Sequence, residues 1–300
     1  MHVVIATAEP RAAYHIAPLI KAAGRMRASI THLVPYPEPV QGTPWPATTS
    51  NPAVLETADR VVVTGGSLSA WTALVVKNAN ANGQSVRFVE LATIGEDYNG
   101  EIPRIEAASA VSLQTAKLLM NRFRLDPERV RVTGTPLLDD IAPWRPAGRR
   151  CVVFSTVDYA ARDPKRELLT VARQLKAQGW EVKVRCHPRE DTELWKGFEL
   201  CQAPGPAESV SECRFMVGYP GTGHAIAAAT GCPVLCLLPE NRGNPFTDGH
   251  RKALPHWAST AQEAIRKLPG LTSAPPEDLE EVVGPIGGAA ERIVNFMLER

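Results

Sequence analysis

Short, nearly continuous runs of Val, Ile and other apolar residues, set between stretches of helical periodicity, constrain this chain most. "HVVIAT" (2–7), "ASITHLV" (28–34), "RVVVTGG" (60–66) and "VRFVEL" (86–91) alternate with the helical patterns "AAYHIAPLIKAAG" (12–24) and "SLSAWTALVVKNANANG" (67–83). A strand that alternates apolar and polar residues buries one face, whereas a strand apolar throughout buries both. Such runs, each followed by a helix, specify a parallel sheet covered on both sides. "ASAVSL" (108–113), the helix "QTAKLLMNRFRL" (114–125) and "RVRVTGTP" (129–136) continue the pattern. The Pro-rich "PYPEPVQGTPWPATTSNP" (35–52) interrupts it and reads as a long loop without regular structure.

The segment "LLDDIAPWRPAGRR" (137–150) carries two prolines, a glycine and a charge run, after which the alternation restarts. "CVVFST" (151–156), "EVKVRCHP" (181–188), "RFMVGYP" (214–220) and "PVLCLLP" (233–239) are strands, and "PKRELLTVARQLKAQG" (164–179) and "TGHAIAAATG" (222–231) are helices. Weaker helices are expected near 190–197 and 206–213, and two more close the chain near 259–268 and 286–299. The expected architecture is α/β, two Rossmann-like domains in tandem: 1–140, a linker at 141–150, and 151–300, with the last helix able to return to the N-terminal domain. Three hundred residues suffice for two such cores.

Bulk properties exclude several classes. Lys plus Arg number 33 against 32 for Asp plus Glu, so no global field draws nucleic acid or an anionic membrane. No run of about 18 apolar residues predicts a membrane span. The start, "MHVVIATAEPRAAYH", lacks a basic region followed by a long apolar one, and reads as a first buried strand with a cytoplasmic location expected. All six cysteines fall in the second half without a CxxC pair, which predicts buried free thiols. No metal-ligand set stands out.

In open α/β sheets, ligands bind beyond the carboxyl ends of the strands. In the second half those ends carry Ser155 and Thr156, then Arg185 and His187 with Pro188, then the turn from Tyr219 to His224, then Pro239 to Asn244. Gly221 and Gly223 admit close approach of a ligand to backbone, and Thr222 reads as the N-cap of the helix that follows. Unpaired helix N–H groups and the helix dipole favour an anion there. Arg185 and Arg189 bracket His187, and either can place charge opposite a phosphate. In the first half the strand ends carry Glu9, Arg11 and His15, the glycines of "TGGS" (64–67), and Glu90, Glu96 and Asp97. A carboxylate among these can accept a proton from a hydroxyl. Asp97, Glu9 and His15 are the candidate bases, with His15 last since it sits inside a helical pattern.

Taken together, "RVRVTGTPLLDD", "CVVFST" and "GYPGTGHAIAAATGCPVLCLLPE", within two Rossmann-like halves, resemble the GT-B glycosyltransferases over nearly the whole chain. "HP" at 187–188 and the Gly/Thr turn at 220–223 resemble the branch that includes bacterial sialyltransferases, polysialyltransferases and CDP-glycerol transferases. The resemblance implies two domains facing a cleft and a metal-independent transfer from a nucleotide-activated sugar, CMP- or UDP-linked, to an acceptor hydroxyl. It also implies that His187 and Thr222 touch donor phosphate, and it puts Asp97 first among the bases on its match in place to the family's acidic motif. Two departures accompany it. Tyr98 and Asn99 separate Glu96-Asp97 from Gly100, and the helix after the Gly turn has no Glu for a ribose, a role that would pass to Glu240. A nucleotide-sugar hydrolase or epimerase on the same fold is the alternative, and a catalytically silent nucleotide- or sugar-binding protein the second. The sequence sets neither the base, the acceptor nor the oligomeric state.

Overall fold

The computed structural model describes residues 1–7, 13–35, 48–64, 70–91, 104–141, 143–155, 164–187, 190–238, 251 and 253–299. The chain divides into two compact units, Met1–Asp139 with Val283–Arg300, and Asp140–Val282.

The first unit holds a seven-stranded parallel sheet in the order β3-β2-β1-β4-β5-β6-β7. Its strands are β1 (His2–Thr7), β2 (Ser29–Leu33), β3 (Thr48–Thr49), β4 (Arg60–Thr64), β5 (Val86–Val89), β6 (Ala107–Ala110) and β7 (Val130–Val132). The helices are α1 (Ala13–Arg25), α2 (Ala70–Ala81) and α3 (Leu113–Phe123). Successive strand residues point to opposite faces, so both faces need cover. Val4, Ala6, Val61 and Val63 pack with Val76 and Ala79 of α2 and Leu119 and Phe123 of α3. Val3, Ile5 and Val62 pack instead with Ile16 and Leu19 of α1 and with Ile293, Val294 and Met297 of the last helix (Ala289–Leu298).

The C-terminal boundary of the second domain therefore moves from 300 to 282, because the apolar stripe of the last helix finishes the first core. Both ends of that helix are held. The Asp139 carboxylate accepts from Ala289 and Ala290 N–H, 2.7 Å each, where the helix starts. At the other end Arg87, buried within the sheet, donates to the carbonyls of Phe296 and Glu299, and Arg60 donates to Glu299 O. These are the carbonyls a helix C-terminus leaves unpaired, and cations suit them.

The second unit holds a six-stranded parallel sheet, β10-β9-β8-β11-β12-β13. Its strands are β8 (Arg150–Phe154), β9 (Glu181–Arg185), β10 (Glu199–Leu200), β11 (Phe215–Gly218), β12 (Val234–Leu237) and β13 (His256–Ala258). The helices are α4 (Pro164–Ala177), α5 (Pro206–Val210), α6 (Thr222–Ala229), α7 (Ala261–Lys267) and α8 (Pro276–Val283), the last straddling the unit boundary; the helix Ala289–Leu298 is α9. Val153, Val184, Val217 and Leu235 form one core with Leu168, Ala172 and Leu175 of α4 and with Trp195. The segment read as a linker is not free of structure: Trp144 donates its indole N–H to Cys213 O at 2.6 Å, and Arg145 N–H pairs with Ser211 O.

The sequence pattern missed the two- and three-residue strands β3, β10 and β13, and the acidic helix α8. The Pro-rich loop also contains regular structure, β3 and a 3-10 turn at Pro52–Thr57, while its central part, 36–47, lies outside the described residues. Helix α1 runs through Gly24, and Arg27, at φ 55°, makes the left-handed turn that follows.

Candidate functional site

Both sheets reverse strand order beside their first strand, between β1 and β4 and between β8 and β11. Loops diverge at such a point and leave a crevice at the carboxyl edge. In the second unit the neighbouring strands end in register, Phe154 opposite Arg185 on one side and Gly218 on the other. Ser155, His187 and the segment Gly221–His224 thus stand at the ends of three adjacent strands.

Helix α6 begins at Thr222, and its N-cap is Gly221 rather than Thr222. Gly221 offers no side chain, so the cap makes no side-chain hydrogen bond. Among the described residues, a Cβ built on Gly221 would meet nothing closer than Tyr219 O at 4.0 Å. The start of α6 therefore keeps uncapped N–H groups beside open space, a favourable seat for an anion. The neighbouring glycines serve packing instead. A Cβ on Gly218 would lie 2.5 Å from Phe154 O, and one on Gly223 would lie 3.0 Å from Phe154 Cε2. They let strand and helix close onto Phe154.

His224 is buried, with its ring edge-on to Phe154 at 6.1 Å. One ring nitrogen bonds the Gly218 carbonyl, and burial pushes the imidazole pKa down to about 4. Nε2 has no hydrogen-bond partner, so Nδ1–H is the donor to Gly218 and Nε2 is a bare acceptor. A neutral ring in this tautomer has no N–H to give a phosphate. Its bond to Gly218 fastens α6 to the end of β11.

Ser155 and Arg185 also have partners within the unit. Ser155 N–H continues the ladder to Arg185 O, and its hydroxyl donates to Glu190 Oε1 at 2.5 Å, which commits its single proton. Arg185 donates to Ala203 O and Ser209 Oγ, 2.7 Å each, and to Pro204 O at 3.3 Å, and stacks over Phe154. Its guanidinium ties the 203–209 segment to β9 instead of awaiting an anion. His187, two residues past β9, is half-buried at the strand-end edge. Thr156, Glu240, Glu9 and Asp97 lie outside the described residues, as do the side chains of Thr222 and His15.

Glu190 is the residue that sequence reasoning passed over. Its side chain is fully buried and accepts from Ser155, from Trp195 Nε1 at 2.9 Å and from His187 N–H at 3.1 Å. The available signal was an acidic residue three places after "H" in "HPRE", followed five places later by an apolar residue with an N–H to give.

The carboxyl edge of the first sheet is also polar and buried. Thr7 and Thr64 end β1 and β4 in register, and Thr7 Oγ1 bonds His32 Nε2 at 2.9 Å. Burial holds the His32 pKa down at about 4. Glu90 Oε2, at the end of β5, accepts from Val111 N–H at 2.9 Å. Among the described residues no group of His, Cys, Asp and Glu could hold a metal ion, and no helix is long and apolar enough to cross a membrane. All six thiols are free, and burial pushes Cys186 up to about 11 and Cys213 up to about 12, away from thiolate chemistry.

The two buried histidines make stability depend on pH. Their folded pKa values of about 4 lie below the ordinary 6.5, so between those limits the unfolded chain binds protons that the folded one refuses. Their contribution is whole above pH 6.5 and drains away as pH falls towards about 4. Each is worth on the order of 3 kcal/mol. Calorimetric scans should show Tm falling through that window, and less steeply in a His224→Gln variant. A Tm independent of pH there would contradict the assignment.

No protein-family model matches the chain, and no curated protein matches it. Solved structures do. A Staphylococcus aureus MnaA–UDP co-structure superposes with a TM-score of 0.70 at 16% identity, covering 98% of this chain and 95% of that one. A Neisseria meningitidis UDP-GlcNAc 2-epimerase bound to UDP-GlcNAc gives 0.69 at 14%, covering all of both chains. The glycotransferase of kitacinnamycin gives 0.60 at 12%, covering 99% of each. At such identities the likeness is one of fold, α/β with two Rossmann-like units.

Proposed function

We propose that this chain is an enzyme acting on a nucleotide-diphosphate sugar, and that it epimerises the sugar rather than transferring it. The observation that carries the reading is the uncapped start of α6 at the switch point of the second sheet, with open space over Gly221 and His187 two strands away. A diphosphate brings the negative charge such a helix end favours, and His187, if protonated against it, adds a charge-assisted hydrogen bond. The likeness to the MnaA–UDP co-structure and to the epimerase bound to UDP-GlcNAc, with higher TM-scores than the glycotransferase, supports a UDP-sugar and an epimerase ahead of a transferase. Epimerisation removes and returns a proton at a sugar carbon, and Asp97, Glu9 and His15 remain, in that order, the proposed bases.

Glycosyl transfer is the second reading, favoured by "HP" at 187–188 and by the fold shared with the glycotransferase. Incubation of UDP-GlcNAc in D2O without any acceptor separates them. An epimerase yields a sugar inverted at one carbon and deuterated there by NMR, with the signal lost in Asp97→Asn. A transferase leaves the substrate intact until an acceptor is added. UDP should also raise Tm, since a ligand at a hundredfold its Kd stabilises by about 2.7 kcal/mol. His187→Ala should weaken UDP binding by about 1.5–3 kcal/mol in a calorimetric titration. Normal binding with a much lower Tm would make His187 a structural residue.

A further inference from the structure

The geometry points to Glu190 as the positioning residue that sets His187 for its phosphate; this rests on the nucleotide reading above. Both backbone polar groups of His187 are taken by this one residue. The His187 N–H donates to Glu190 Oε2 at 3.1 Å, and the Glu190 N–H donates to His187 O at 2.8 Å. The carboxylate is in turn fixed from its other oxygen. Oε1 accepts from the Ser155 hydroxyl at 2.5 Å and from Trp195 Nε1 at 2.9 Å, with Lys165 Nζ at 3.9 Å.

A fully buried carboxylate persists only where donors replace the water it has lost. Here the donors come from three separate pieces of the unit. Ser155 ends β8, Trp195 is wholly inside the α4-covered core, and His187 follows β9. Glu190 therefore ties the His187 backbone to the rigid part of the fold. A mobile backbone at His187 would have to be ordered by each ligand that meets its ring, and that ordering subtracts from affinity. Glu190 fixes that stretch of backbone in the free protein.

The division of labour between the two oxygens gives a selective test. In Glu190→Gln the amide oxygen can satisfy Ser155 and Trp195 only if the amide NH2 faces His187 N–H, donor against donor. The core contacts survive and the His187 bond is lost. Glu190→Asp keeps the charge but is one methylene too short to span Ser155 and the His187 amide, and gives the same loss should the Gln variant not fold. Leu175→Ala, a cavity in the same core, serves as the control for lost stability alone.

The measurements are hydrogen exchange of the His187 amide by 15N NMR in the free protein, and UDP affinity by titration. In Glu190→Gln and Glu190→Asp, exchange should quicken and the UDP Kd rise, each by about tenfold or more. Leu175→Ala should lower Tm with neither change. Wild-type amide protection in the Glu190 variants overturns the inference. So does a UDP Kd no different from that of Leu175→Ala. If wild-type protein binds no UDP, the nucleotide reading fails on that observation, and amide protection alone decides whether Glu190 holds His187.

Discussion

A Gly284→Ala variant is expected to lose about 3 kcal/mol or more of stability. Two penalties coincide at this residue. Its φ is +69°, a conformation that costs any residue with a Cβ, and the added carbon would lie 1.9 Å from Val111 O. That oxygen is backbone, fixed between β6 and the start of α3, so it cannot swing aside as a side chain would. Gly287 supplies the comparison three residues on. It has φ +77° but nothing within 4 Å of the added carbon, so Gly287→Ala carries the strain alone, about 1 kcal/mol. In thermal scans Gly284→Ala should melt on the order of 10 °C below wild type and Gly287→Ala only a few degrees below. Equal effects would mean that the approach to Val111 relaxes freely.

Thr222→Asp is expected to separate binding from stability. Position 222 is the first residue of α6, where a carboxylate interacts favourably with the helix dipole, by about 0.3–1 kcal/mol. The same charge would stand where the proposed diphosphate belongs. Tm should hold or rise slightly, while UDP affinity falls by on the order of a hundredfold, as expected when a charge-assisted contact is replaced by repulsion. Unchanged UDP binding would remove the nucleotide from this helix end.

The central strands were legible because they are buried on both faces. Val3 to Ala6, Val61 to Val63, Cys151 to Val153 and Val234 to Leu237 are all buried, as short β-branched runs are in a covered parallel sheet. The edge strands carry no such signature. β10 is two residues with an exposed glutamate, and β7 has no fully buried position in its first two residues. Their pairing is dictated by the neighbouring strand, not by their own composition.

The candidate site was legible as a set of strand ends and not as a set of roles. Ser155, Arg185, His187 and Gly221–His224 do gather at one edge, because strand ends are fixed by the same periodicity that reveals the strands. Which polar groups are already spent there depends on partners far away in sequence. Arg185 meets Ala203 and Ser209, and Ser155 meets Glu190 across 35 positions. Glycines posed the same difficulty. Gly218, Gly221 and Gly223 look alike as letters, yet of the three only Gly221 would leave an added Cβ clear of the other described residues.

The return of α9 to the first unit bears on the order in which the molecule can be made. β1 is made before the second unit, but Val3, Ile5, Ile16 and Val62 meet Ile293, Val294 and Met297 only after that whole unit has been made. Between Asp139 and Val283, translation at about 5–20 residues per second takes on the order of 10–30 s. Throughout that interval the first sheet has α1 but not α9 over that face, and part of its apolar surface stays uncovered. The second unit, drawn from the uninterrupted stretch Asp140–Val282, has no such wait. Maturation thus runs against the direction of synthesis, with the later half complete before the earlier one. Nascent chains stalled before residue 289 should accordingly present a sticky first sheet to chaperones, beside a second unit already resistant to protease.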